Sequence, residues 1–389
     1  MSHRVESLEA VEHRKSEEKV LHKAGQQALF DLFGLLQDQH LTEINPEVIP
    51  LLKESFFSYP PSLFNQLGFL AEEPVFRSQE QQKGHWFYEK CMAQKALEFS
   101  PQIKEWFGED DAFIADLVFM IIVGDIGKAG PVEVADHEPE AVVRRIYNQA
   151  VFHKKHKQWL IGKTPADFPP EIRGQLELLS KETATSGSLS PYETVFSRGE
   201  FFALPLEAYL HVIQQVSLEE ADGDLELQEK AQKLFSLTPE EREYLVTSGR
   251  DPQTTPMRRF FTTSHITFGD MYLKQQGLLN EHQLSLVDQA LAHHFSQGMV
   301  PQGLDVRNVL EEKWVKVTAF LEILDKVQAG YSRWQGSHAG EVLEKNRSLI
   351  ETGLAQNYPG MKTLLQWYGE TFDWMVQSGI LASAEVTQK

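Results

Sequence analysis

The chain has 389 residues, 41% of them hydrophobic, and a formal net charge of −19. That is enough apolar material for a substantial core, and the acidic balance excludes a broad nucleic-acid or anionic-membrane surface. One cysteine, Cys91, excludes an internal disulfide framework and a thiolate zinc cluster and fits a reducing compartment.

The start, MSHRVESLEAVEHRK, lacks the apolar stretch of a secretory signal. From Leu8 to Gln37 apolar residues recur every three to four positions, through Val20, Leu21, Ala28, Leu29, Leu32, Phe33 and Leu36, which predicts one or two amphipathic helices. NPEVIPLLKESFFSYPPSLFNQLGF is broken by prolines and reads as short helical turns and loops joining an N-terminal extension, residues 1–80, to a main body, residues 81–389. Helices are expected over 85–106, 111–123, 138–151, 170–182, 204–217, 224–235, 238–247, 269–275, 281–295, 306–329, 339–356 and 360–377. Capping signals stand at SPQ, TPEE and YPGM. The longest apolar run, AFIADLVFMIIV at 112–123, is too short for a bilayer and reads as a buried helix. With neither a signal nor a spanning segment, the expected location is the cytosol. No alternating strands and no internal repeat are evident, so the fold expected is all-α, an irregular helical domain rather than a solenoid.

Irregular segments are expected at 124–137, 184–203, 248–268 and 296–304, and three of them combine ionisable, small and aromatic residues, as loops converging on a ligand do. GDIGK at 124–128 ends an apolar helix in glycine, followed by Asp125 and Lys128; it is either a solvated loop or the mouth of a phosphate site, with Lys128 as the ammonium. The spelling is close to HDIGK, the metal-binding signature of HD-type phosphohydrolases, with Gly124 in the place of the histidine. His137 follows in VADHEPE between Asp136 and Glu138, which favour its protonated form. Glu200 lies in SRGEFF, after Arg198 and ahead of two phenylalanines, and His265 lies in RRFFTTSHITFGD, after Arg258 and Arg259. Two histidines, a carboxylate and nearby cations suffice to cleave a phosphodiester: one imidazole attacks or acts as base, the other protonates the leaving oxygen, the carboxylate fixes a tautomer and guanidinium groups hold developing charge. This chemistry needs neither metal nor cofactor.

Other histidines read as structural. His153 and His156 in HKKHK sit among lysines that repel a metal. His293 and His294 follow LVDQALA, and adjacent positions on a helix point apart, so one is expected packed and the other exposed, with no shared ligand.

The order of GDIGKAGPVEVADHE, SRGEFF and TTSHITFGD resembles the phosphodiesterase domain of the SidE family of Legionella effectors, over about residues 82–362. The resemblance implies an all-α, metal-free phosphodiesterase acting on ADP-ribosylated ubiquitin or on a phosphoribosyl link between ubiquitin and a serine. It implies His137 as the covalent-intermediate position, His265 as general acid and Glu200 as the supporting carboxylate. It also implies a bacterial protein delivered to the cytosol of a host cell. Ubiquitin's basic face would suit an acidic partner. Two alternatives stand beside it: a divergent HD phosphohydrolase holding a metal through Asp125, His137 and further residues, and a non-catalytic helical adaptor that binds a nucleotide or a partner protein.

Overall fold

The computed structural model describes residues 25–59, 86–129, 204–221, 223–275, 279–301, 310–333 and 338–381, with a few isolated positions between these stretches. Among them the chain is all-α. Among the described residues no strand forms, and the one extended pairing is a single bridge between Pro205 and Pro256. No helix among the described residues is long and apolar enough to cross a membrane.

The chain divides into two compact units, Met1–Ala129 with Ile266–Lys389, and Gly130–His265. These cuts fall elsewhere than the boundary drawn from sequence at residue 80. The first unit opens with α1 (25–37), α2 (Gln39–Ile44) and α3 (Val48–Ser58). The proline-rich stretch thus holds a full helix, α3, rather than only short turns. Pro50 sits in its first turn, where a backbone N–H has no intrahelical acceptor to lose. These helices pack into the unit through Leu32, Leu41, Val48, Leu52 and Phe56, all buried. Asn45 Nδ2 donates to the Leu97 carbonyl at 2.9 Å and Trp86 Nε1 to Asp31 at 3.3 Å.

The helix expected over 85–106 is two, α4 (Trp86–Glu98) and α5 (Ser100–Phe107), with Phe99 at the break and Pro101 in the first turn of α5. Pro101 cannot continue α4 and is preorganised to start α5. Next comes α6 (Asp111–Gly124), capped by Asp110, whose carboxylate accepts from the Ala112 and Phe113 N–H groups at 3.0 and 3.3 Å. From Phe113 and Ile114 through Leu117–Gly124 it is buried on all faces, which is why its sequence carries no polar stripe. Around it lie α3, α4, α5 and α11 (Glu281–Leu291), the last begun by a capping box between Asn280 and Gln283. The unit closes with α12 (Glu312–Arg333), α13 (Ala339–Asn357) and α14 (Lys362–Gln377).

The second unit contains α7 (Leu206–Glu220), α8 (Leu225–Phe235) and α9 (Pro239–Thr247). Thr238 and Glu241 form the capping box that TPEE predicts. Arg242 holds Glu207 with two hydrogen bonds at 3.0 and 2.7 Å, and Arg145 reaches the Lys233 and Ser236 carbonyls at the end of α8 as well as Glu241. Of the helix expected over 138–151, residues 141–143 and 145–146 are described and are helical. The one expected over 170–182 lies almost wholly outside the described residues.

The unit boundary falls inside α10 (Met257–Gln275). The segment expected to be irregular over 248–268 is therefore helical from Met257 onward. Buried residues at 257, 260, 264, 268 and 271 follow the helical period, and that burial outweighs the modest propensity of its threonines and phenylalanines.

Candidate functional site

At its C-terminus α6 delivers Asp125 as the capping residue, and a 3₁₀ turn, Ile126–Ala129, brings Lys128 back over it. The Lys128 N–H donates to the Asp125 carbonyl at 2.9 Å, and its ammonium meets Asp125 Oδ2 at 2.5 Å. Asp125 is 3% exposed and Lys128 7%, so GDIGK is not a solvated loop, and the ammonium pairs with the carboxylate.

His293 and His294 depart most from expectation. Because α11 ends at Leu291, both residues lie in the turn that precedes a 3₁₀ segment, Phe295–Gln297, and the angular rule for neighbours on a helix does not apply. Both are buried, and their rings lie 4.3 Å apart between centroids. His293 Nδ1 is 2.8 Å from the Ala290 carbonyl, and Nε2 is 3.0 Å from Asp125 Oδ1. The carbonyl only accepts, so Nδ1 carries a hydrogen. Nε2 then faces a carboxylate oxygen, which is repulsive unless that nitrogen carries a second proton or shares a cation with Asp125. Burial opposes a charge on this ring, but the Asp125 charge and hydrogen bond, with Asp325, outweigh burial and Lys128 and hold its pKa above the ordinary histidine value.

Asp125, His293 and His294 belong to the first unit. His265, wholly buried, is the last residue of the second, on α10 immediately before Ile266. The three residues of the first unit each offer one ligand atom, and these atoms lie within 4.8 Å of one another. Two imidazoles and one carboxylate are a donor set for a borderline divalent ion such as zinc, cobalt, manganese or iron(II), and the bond from His293 Nδ1 to a carbonyl is the outer support that metal-bound histidines use. Beside Asp125 and His293, bounded also by Gly124, Ala290, Leu321 and Asp325, a space of about 20 Å³ remains, enough for one ion or water. Glu89, on the core face of α4, is fully buried; its burial and the Asp125 charge, opposed by Lys128, push its pKa well above the usual carboxylate range.

Of the residues singled out from sequence, Lys128 and His265 are described, and the structure places Lys128 on Asp125 and buries His265 on α10 at the end of the second unit. His265 is in a helix, not in the loop expected. His137, Arg198 and Glu200 lie outside the described residues. Arg258 and Arg259 are in the first turn of α10, with side chains outside what is described. Sequence reading missed His293, His294 and Glu89. Glu89 left a signal, a carboxylate in register with Trp86, Met92, Ala93 and Ala96 on one helical face. A larger groove of about 300 Å³, lined by residues of α3, α6 and α11, holds the Asp116–His282 pair at 2.7 Å, but His282 is 65% exposed and the pair is a surface contact. No known family, no curated protein and no solved structure matches the chain.

Proposed function

We propose that the chain is a cation-dependent phosphoesterase whose working groups are Asp125, His293 and His294. The observation that carries this reading is the His293 imidazole, buried with an acceptor oxygen opposite each nitrogen. A divalent cation held by His293 and Asp125 would relieve that conflict. When bound, such an ion polarises a phosphoryl oxygen and acidifies a water. The chain's own residues hold it, keep a proton on Glu89 beside Asp125, and balance charge with Lys128.

The metal-independent His137/Glu200/His265 reading keeps one observation in its favour: the Lys128 ammonium already sits on Asp125 and supplies positive charge without an ion. In both readings the resemblance suggests the first substrate to try, ubiquitin carrying ADP-ribose or phosphoribose, in the cytosol of a host cell. The test is hydrolysis of bis(4-nitrophenyl) phosphate and of ADP-ribosylated ubiquitin by the full chain, before and after chelation and after adding back manganese, cobalt or zinc. Activity lost to chelator and restored by metal supports the proposal. Activity indifferent to chelator moves the chemistry to the metal-free set, and no turnover of either substrate rejects both.

A further inference from the structure

A second buried carboxylate acts on the same turn. Glu322 on α12 is fully buried, and its oxygens accept from the Ser296 N–H at 2.9 Å, the Ser296 hydroxyl at 2.5 Å and the Tyr368 hydroxyl at 2.9 Å, with Lys326 Nζ at 3.3 Å. A carboxylate in this position is costly unless its lone pairs are filled, and an apolar residue would pack without that cost. Two of its contacts converge on Ser296, two residues beyond His294. The turn is held from other sides as well. Asn357 Nδ2 donates to the Ser296 carbonyl at 3.1 Å, and the Phe295 ring stacks on Tyr358 at 4.6 Å. One turn along α12, Asp325 borders the space against His293.

We propose that Glu322 is a positioning residue: by anchoring Ser296 it fixes the turn that aims the His293 and His294 imidazoles. The proposal rests on reading those two histidines as site residues. A rival role, tying α14 to α12 through Tyr368 alone, separates cleanly, because Ser296→Ala loosens the turn and Tyr368→Phe loosens only the link to α14.

The test uses the metal-free full chain. Carbethoxylation of individual histidines by diethyl pyrocarbonate is followed by mass spectrometry, with exposed His282 as internal reference. Glu322→Gln is expected to raise the rates at His293 and His294 severalfold, with His282 unchanged. Ser296→Ala shifts both rates in the same direction and Tyr368→Phe leaves them at the wild-type value. Unchanged rates at both histidines in Glu322→Gln or in Ser296→Ala, or equal acceleration in Tyr368→Phe, would overturn the proposal; if Glu322→Gln does not fold, Ser296→Ala decides. Cobalt uptake by the wild-type chain is read separately. Its absence would refute the metal reading while the histidine rates still decide this one.

Discussion

Replacing Gly124 by alanine puts a methyl group into the joint between α6 and His293. An ideal Cβ there lies 3.2 Å from the Ala290 carbonyl oxygen and 3.3 Å from His293 Nδ1, the two atoms whose 2.8 Å contact orients the imidazole. One neighbour is backbone and the other is a ring held at its far side by Asp125, so neither can swing away. Alanine in a helix is worth up to about 1 kcal/mol over glycine, less at a terminal position such as this. Crowding a packed interior costs about 1–3 kcal/mol. The crowding wins, and Gly124→Ala is expected to lose about 1 kcal/mol of stability and about tenfold in cobalt affinity, equivalent to about 1.4 kcal/mol. Thermal unfolding of the metal-free chain and cobalt titration measure the two effects. A variant more stable than wild type with unaltered cobalt affinity would refute the packing of His293 on Gly124.

Gly353→Ala faces a harder obstacle, since its Cβ would lie 2.6 Å from the Ser296 carbonyl oxygen; a loss near the upper end of the overpacking range, about 3 kcal/mol, should appear as a lowered unfolding midpoint, and an unmoved midpoint contradicts it. Gly369, in the middle of α14 with nothing near its Cβ position, should accept alanine with a gain of up to about 1 kcal/mol, read in the same experiment. Glu89 and His293 both hold protons more tightly when folded, so the metal-free protein should lose stability as pH rises: first above the ordinary carboxylate range, where unfolded Glu89 ionises and folded Glu89 does not, then as His293 deprotonates through its raised value. The slope is at most about 1.4 kcal/mol per pH unit for each proton. Glu89→Gln removes the first part, so its midpoint should exceed that of wild type increasingly from about pH 5 to pH 8; parallel curves for the two proteins would mean that Glu89 is ionised in the fold.

What the sequence made legible was local. The all-α class, the buried helix ending at Gly124 and the TPEE cap are written in periodicity and capping chemistry, which neighbouring residues decide. The errors arose where distant burial decides. The α10 stretch carries apolar residues at the helical period, but threonines, a serine and a proline at its entry resemble a loop; burial decides for the helix, and the buried Ser264 hydroxyl stays satisfied inside it by donating to the Phe260 carbonyl at 2.5 Å. A helix running to 295 would point His293 and His294 apart; no glycine or proline marks the true end of α11 at Leu291, and the turn is held instead by Glu322, Gly353 and Asn357, remote in sequence. The spelling GDIGK marks Asp125, yet its partner His293 lies 168 residues away, a pairing no local pattern encodes.

Titration of the metal-free full chain with cobalt, followed by its visible absorption, tests the central claim most directly. The account predicts one bound ion per chain, binding lost in His293→Ala, weakened at least about tenfold in Asp125→Asn and untouched in His282→Ala. An absence of cobalt binding by the wild-type chain, or the same affinity and spectrum in His293→Ala, would contradict it.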